Sequence, residues 1–288
     1  MEYLIHLLIL ISIYAILGLS LDLVVGLTGL LSVTQAAFYG IGAYTTAILL
    51  TNLNINFFLS IIFGMIIAGV SGLVIGLVLS KFKGDYYALG SFGFNVIVYT
   101  ILLNWQSLTG GPLGIPGISR PNLFTFSFSN NLSFLILSIV IFLIIFGIYY
   151  FISKSSFGRV LRAIREDEEV ISVFGYHTLW FKMSIFVIGA MLASVAGSLF
   201  ASYITFVDPS SFTLTESIFV LSIIILGGLA NRRGAIIGAV CLVLLPEILR
   251  FVGFPSEIAA QIRQAAYGLI LILLMLYRPQ GLVGEYKF

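Results

Sequence analysis

The sequence predicts an all-α polytopic membrane protein, and three observations carry that prediction. Of the 288 residues, 60% are hydrophobic and only 9% charged, with a mean hydropathy of +1.13; soluble domains carry about 25% charged residues. The apolar residues form continuous blocks long enough to cross a ~30 Å hydrocarbon layer, which takes about 20 residues as a helix, whereas a membrane barrel would show short alternating segments. The charge gathers between blocks: of 26 charged side chains, seven lie in 157–176.

The blocks fall at 3–25, 30–51, 57–80, 86–104, 132–152, 183–207, 214–230, 235–250 and 262–277. The first has neither a basic leader nor a small-residue cleavage site, so a retained helix is expected rather than a signal peptide. The second starts inside "GLTGLLSVTQAAFYGIGAY", residues 26–44, where glycines and polar side chains stand in place of a plain apolar run. Non-helical backbone at membrane depth is tolerated only where protein buries it or it lines a watery path. A broken or re-entrant helix is therefore expected here, leaving eight or nine full spans. Asp22, Ser32, Thr34, Gln35, Gly40 and Gly42 are the candidate residues of the break or of a pathway beside it. Asp22 is read as accepting hydrogen bonds from nearby backbone, since carboxylates in membranes are costly and face the bundle interior.

The third and sixth blocks carry small residues at every fourth position: Gly64, Ala68, Gly72 and Gly76 in one, Gly189, Ala193, Gly197 and Ala201 in the other. Such stripes let helix backbones approach closely. Their opposite expected directions leave an inverted repeat open. Residues 105–131, rich in Gly and Pro, read as a long external loop. Cys241 stands alone, which excludes an intrachain disulfide and a multi-cysteine metal site; in its apolar run it reads as a buried packing residue.

Basic residues orient the blocks, because cytoplasmic loops are enriched in Lys and Arg. Lys81, Lys83, Lys154, Arg159, Arg162, Arg165, Lys182, Arg232, Arg233, Arg278 and Lys287 fall on one side if every block from the fourth onward crosses once; only Arg120, Arg250 and Arg263 fall on the other. Eleven against three places 153–182 and the C-terminus in the cytoplasm. Residues 1–80 contain no Lys or Arg, so the side of the N-terminus stays open.

The stretch "FGRVLRAIREDEEVISVFGY" reads as one amphipathic helix over 157–175. Val160, Ala163, Ile164, Ile171 and Phe174 would share a face into which Asp167 intrudes, with Ser155 or Ser156 capping the start and Gly175 the end. Arginines lead and acids follow, against the helix dipole, and the pairs Arg162–Glu166 and Arg165–Glu169 run in the weaker direction. A docking surface for a cytoplasmic partner explains that order better than local stabilisation does; a solvated surface helix is the alternative. No phosphate-binding GxxxxGK[ST] loop, HExxH or GxSxG is present, and His6 and His177 are isolated, so neither ATP hydrolysis nor metal chemistry is expected on this chain.

Five segments together carry a family resemblance: "GLTGLLSVTQAAFYGIGAYTTAILL", "LTGGPLGIPGI", "SSFGRVLRAIREDEEVISVFGY", "ILGGLANRRGAIIGA" and "YRPQGLVG". In that order they resemble the LivM-type membrane permease subunits of bacterial branched-chain amino acid ABC transporters, over essentially the whole chain. The resemblance implies one permease domain over 1–288 in the bacterial inner membrane and no cofactor. It implies as partners a second related permease, two cytoplasmic ATP-binding subunits and an external substrate-binding protein, with lipid around the assembly and no nucleic acid. It also implies that Arg159, Arg162, Ala163, Arg165, Glu166, Asp167 and Gly175, within 153–182, form the segment that docks on the ATPase. Thr34-Gln35 stands where the family often has Gly-His, which leaves urea, short amides or a sugar as alternative cargo. "NRRG" replaces an often uncharged turn. A transporter driven by an ion gradient through Asp22 is the alternative from another class.

Overall fold

The computed structural model describes residues 2–82, 84–123, 126–128, 130–251, 265, 268–269, 272–273, 276 and 280–283. Lys83, Arg263, Arg278 and Lys287 lie outside the described residues, as does most of the expected block 262–277. The described residues are mostly helical: α1 (Glu2–Thr28), α2 (Gln35–Asn52), α3 (Phe57–Leu79), α4 (Asp85–Asn104), the short α5 (Gln106–Thr109), α6 (Asn131–Lys154), α7 (Ser156–Glu166), α8 (Glu168–Val173), α9 (Thr178–Ile204), α10 (Leu214–Gly227) and α11 (Arg232–Phe251). In the loops, β1 (Ile115–Pro116) pairs with a later strand, β2 (Asn122–Leu123) pairs with β3 (Phe126–Ser127), and β4 (Phe206–Val207) is the partner of β1. Among the described residues, five helices are long and apolar enough to cross a membrane: α1, α3, α4, α6 and α9.

Side-chain pairs fix the directions of these helices. Asn131 donates to the Glu2 carboxylate at 3.1 Å at one end and Tyr149 donates to Asp22 at 2.6 Å towards the other, so α1 and α6 run parallel. His6 meets the Tyr203 hydroxyl at 2.6 Å while Gly189 faces Val24, so α9 runs against α1. Gly64 lies by Ser198, Gly72 by Ala190 and Gly76 by Phe186, so α3 also opposes α9. The N-terminus and the charged helix α7 therefore occupy opposite ends of the bundle. Lys154, Arg159, Arg162 and Arg232 line one pocket at the α7 end, and Lys182 and Phe82 another; Arg120 lines a pocket at the far end with Asn54 and Asn56.

The centre of the bundle is made by α1 and α9, the most buried of the five long helices. The stripe on α3 lies against α9, as its small residues require. The stripe on α9 meets different neighbours, because α9 is packed on several faces: Gly189 abuts Val24 and Ser20 of α1, and Gly197 abuts the backbone of Tyr39 and Ala43 in α2. Two expectations are corrected. The charged stretch is two helices, broken at Asp167 (φ −157°, ψ 102°), whose Oδ1 accepts from the backbone N–H groups of Glu169 and Val170 at 3.0 Å. A carboxylate is worth more as a cap than as an intruder on an apolar face, so Ile171 and Phe174 do not continue the buried face that Leu161 and Ile164 form. Cys241 is exposed on this chain, because α11 turns Ala239 and Leu242 inward instead.

The close backbone contact at Gly197 sets an expected outcome. An added methyl would lie 2.8 Å from the Ala43 nitrogen, and overpacking of this kind costs about 1–3 kcal/mol. Gly197→Ala should lower the melting temperature of the detergent-purified protein. Gly93→Ala, where nothing lies within 4 Å, should not.

Candidate functional site

The helix α1 ends where Thr28 turns its hydroxyl back onto the Val24 carbonyl (2.6 Å) and Gly29 takes a positive φ of 72°. The chain then climbs back beside α1 without helical structure over 29–34. At Gln35 the amide Nε2 donates to the Ser20 hydroxyl, eight residues before the end of α1, or about 12 Å along its axis at 1.5 Å per residue. Thus α2 starts inside the bundle. Its 18 residues span about 27 Å, and just beyond them Asn56 donates to the Asn122 carbonyl of the 105–131 loop (3.2 Å).

A second helix begins at the same place. The backbone N–H of Ala36, in the first turn of α2, donates to Ser217 Oγ of α10 at 2.9 Å. Asn95 of α4 spans the junction, its Nδ2 donating to Ser217 Oγ (2.7 Å) and to the Val33 carbonyl (3.1 Å). Ser91, one turn earlier, accepts from the Val33 N–H at 3.0 Å, and Ser32 meets the Thr34 hydroxyl at 3.0 Å. Ser20, Ser32, Thr34, Gln35, Ser91, Asn95 and Ser217 are all buried. Helix starts expose unpaired N–H groups, and membranes offer no water to satisfy them; here Ser217 of α10 takes the Ala36 N–H of α2, and Ser91 of α4 takes the Val33 N–H just before it. Among the described residues, Asn95 Oδ1 and Glu216 Oε1 have no hydrogen-bond partner.

The other candidate residues divide between packing and the α7 end. Gly40 faces Phe212, and Gly42 lies on the backbone of Ser194. Asp22 is remote from the break in its contacts: fully buried, it accepts from the Ala230 N–H (2.8 Å) and the Tyr149 hydroxyl (2.6 Å), tying the α10–α11 turn to α1 and α6. Arg165 reaches from α7 to the Gly26 carbonyl and lies against Gly29, so the charged helix holds the residue at which the break begins. Arg162 binds the Ser153 carbonyl at 3.1 Å. Glu168 anchors α8 to α9 through Lys182 (2.6 Å) and Thr178 (3.0 Å). Arg159, Glu166 and Asp167 are exposed, Ala163 is half-buried, and Gly175 turns the chain with φ +85°. Beside them Val170, Val173 and Phe174 are exposed, the last two by 86% and 74%.

Reading the sequence missed Ser20, Ser91, Asn95, Ser217 and Glu216. Asn95 and Glu216 carried a usable signal, since an amide or carboxylate within an apolar block marks a functional position by default.

Long apolar helices around two buried helix starts define a multi-pass membrane protein with an irregular core. The chain belongs to the family described as branched-chain amino acid transport system / permease component, whose model matches residues 3–277. It is similar to the high-affinity branched-chain amino acid transport system permease protein LivM of Salmonella typhimurium, with 35% identity over 94% of this chain and 68% of that protein. The probable branched-chain amino acid transport permease protein LivM of Methanocaldococcus jannaschii shares 27% over 78% of this chain and 68% of that one. The permease protein LivH of Salmonella typhimurium shares 26% over 95% and 92%. No solved structure matches the chain.

The two bonds to Asp22 set its sensitivity to substitution. An asparagine keeps an acceptor for Ala230 and lets the Tyr149 hydroxyl reverse its role, so Asp22→Asn should melt within a few degrees of the native protein. Asp22→Leu strands two buried donors at about 1–3 kcal/mol each and should lower the melting temperature clearly. Equal melting of the two variants would show that these bonds do not hold the α10–α11 turn.

Proposed function

We propose that this chain is a permease subunit of an ATP-driven importer for branched-chain or related hydrophobic amino acids, forming half of a translocation path with a second, related permease. The observation that carries the reading is the family match across nearly the whole chain. The relatives named above include both a LivM and a LivH protein, which supports a pair of unlike permeases. The path runs past the junction of α2, α4 and α10, where buried polar groups concentrate and Asn95 Oδ1 is free to accept from a substrate ammonium group. An external binding protein delivers the substrate to the end that carries Asn56 and Arg120.

ATP hydrolysis takes place on separate subunits that dock at the other end, which faces the cytoplasm in the bacterial inner membrane. The docking segment lies within 153–182: α7 is anchored by Leu161 and Ile164, and α8 presents Val173 and Phe174 beside Glu166, Asp167 and Glu169. An exposed apolar strip flanked by acids suits a partner groove with an apolar floor and basic rim. Arg165, on the Gly26 carbonyl, would pass movement of that partner to the break.

Two measurements test this reading. Glu166→Lys with Phe174→Ser should leave the chain inserted at normal levels while ATPase co-purification and leucine uptake fall together; Asp167→Asn, which keeps a capping side chain, should retain both. Normal uptake by the double variant would remove α8 from coupling. On a Cys241→Ser background, an impermeant thiol reagent on whole cells should label Asn130→Cys and spare Ser155→Cys; the reverse would invert the chain in the membrane.

A further inference from the structure

A pocket of about 370 Å³ opens at the α7 end between α6, α7 and the turn joining α10 to α11. Lys154, Arg159, Arg162 and Arg232 line it together with Ser153 and Asn231, and among the described residues no acidic side chain does. Asp22 lies behind the pocket wall formed by Tyr149, with its two oxygens already accepting from Tyr149 and Ala230. The cations are held in place, and among the described residues none of the four forms an ion pair. The Arg232 guanidinium lies over the rings of Tyr150 (4.4 Å) and Phe146 (5.5 Å), and the Lys154 ammonium lies over the same Tyr150 ring at 5.1 Å. Arg162 spends one terminal nitrogen on Ser153, while its Nε is buried with no hydrogen-bond partner among the described residues. Four like charges converging on one concavity repel each other, and an unpaired buried donor adds to that cost. An anion in the pocket would relieve both.

The rim shows where the anion comes from. Tyr150 and Lys154 lie next to the outward face of α6, on which Leu143, Ile144, Ile148 and Phe151 are exposed, Phe151 by 74%. A ligand with its charge in the pocket can thus lay an apolar tail along α6. Basic pockets between membrane helices are suited to anionic headgroups, and aromatic rings at the helix end hold the interfacial level. We propose that this pocket binds the phosphate of an anionic phospholipid, its acyl chains lying along α6 and its charge bridging α6, α7 and the α10–α11 turn. The lipid would thereby brace the elements that Asp22 ties together from within. This inference needs only the membrane placement of the chain and is independent of the transported substrate.

The test is the thermal unfolding of the full chain in neutral detergent, titrated with phosphatidylglycerol, phosphatidylcholine, inorganic phosphate or a poly-glutamate peptide. Phosphatidylglycerol alone should raise the melting temperature at low concentration. Lys154→Gln and Arg232→Gln should each weaken that effect by about fivefold, the contribution of one basic residue at an anionic surface. Arg232→Lys should keep most of it, and Lys81→Gln, elsewhere at the same end, all of it. Equal protection by phosphatidylcholine would reduce the site to an apolar surface. Equal protection by phosphate would make it a free-anion site, and by poly-glutamate an acidic-protein site. Any of these results, or an undiminished phosphatidylglycerol effect in both glutamine variants, would overturn the proposal.

Discussion

Backbone that leaves its helix inside a membrane has nowhere to find water, and this fold is organised around meeting that constraint. At the break between α1 and α2, the Val33 N–H goes to Ser91, its carbonyl to Asn95, and the Ala36 N–H to Ser217. Each buried group left unpaired would cost about 1–3 kcal/mol, so the break requires α4 and α10 to stand where they do. The same bonds set the depth at which α2 and α10 begin. Ser217 of α10 serves α2 and α4 at once, accepting from Ala36 and from Asn95. A change in how α4 lies against α10 must therefore disturb the start of α2.

The break is also joined to the charged end. Arg165 sits on the Gly26 carbonyl and against Gly29, the first residue after α1. Six irregular residues, 29–34, connect that contact to the polar junction. On the proposed function this is a short mechanical line from an ATPase to the substrate path: α8 receives the partner, α7 moves with it, and α1 delivers the displacement to a segment without helical stiffness. Asp22 keeps the α10–α11 turn in register with α1, so both helices that bound the junction are referred to the same end.

Much of this was legible in the sequence because it is local. Span length and hydropathy located α1, α3, α4, α6 and α9, and the run of Gly, Thr and Gln after Gly26 marked the break. What escaped the sequence is pairwise and distant. Nothing near Asp22 announces Ala230, 208 residues away, and Asn95 finds Ser217 across 122 residues. Single Ser and Asn residues in apolar blocks look alike until the fold says which ones meet. Asp167 shows a different limit: the apolar period continues across it, so periodicity ran one helix through 157–175, whereas the side chain's preference for capping free N–H groups ended α7 and began α8. Cys241 looked buried because its block is apolar, but in a membrane helix an apolar neighbourhood does not distinguish the packed face from the outer one.

The account turns on Asn95, whose amide nitrogen bonds both the break and α10 and whose buried oxygen has no hydrogen-bond partner among the described residues. Leucine uptake by Asn95→Leu, measured beside ATPase co-purification in the same cells, tests it most directly. The account predicts uptake reduced by about tenfold or more, as loss of one buried polar partner in a working site implies, with the ATPase still bound. Uptake at the native rate would contradict it.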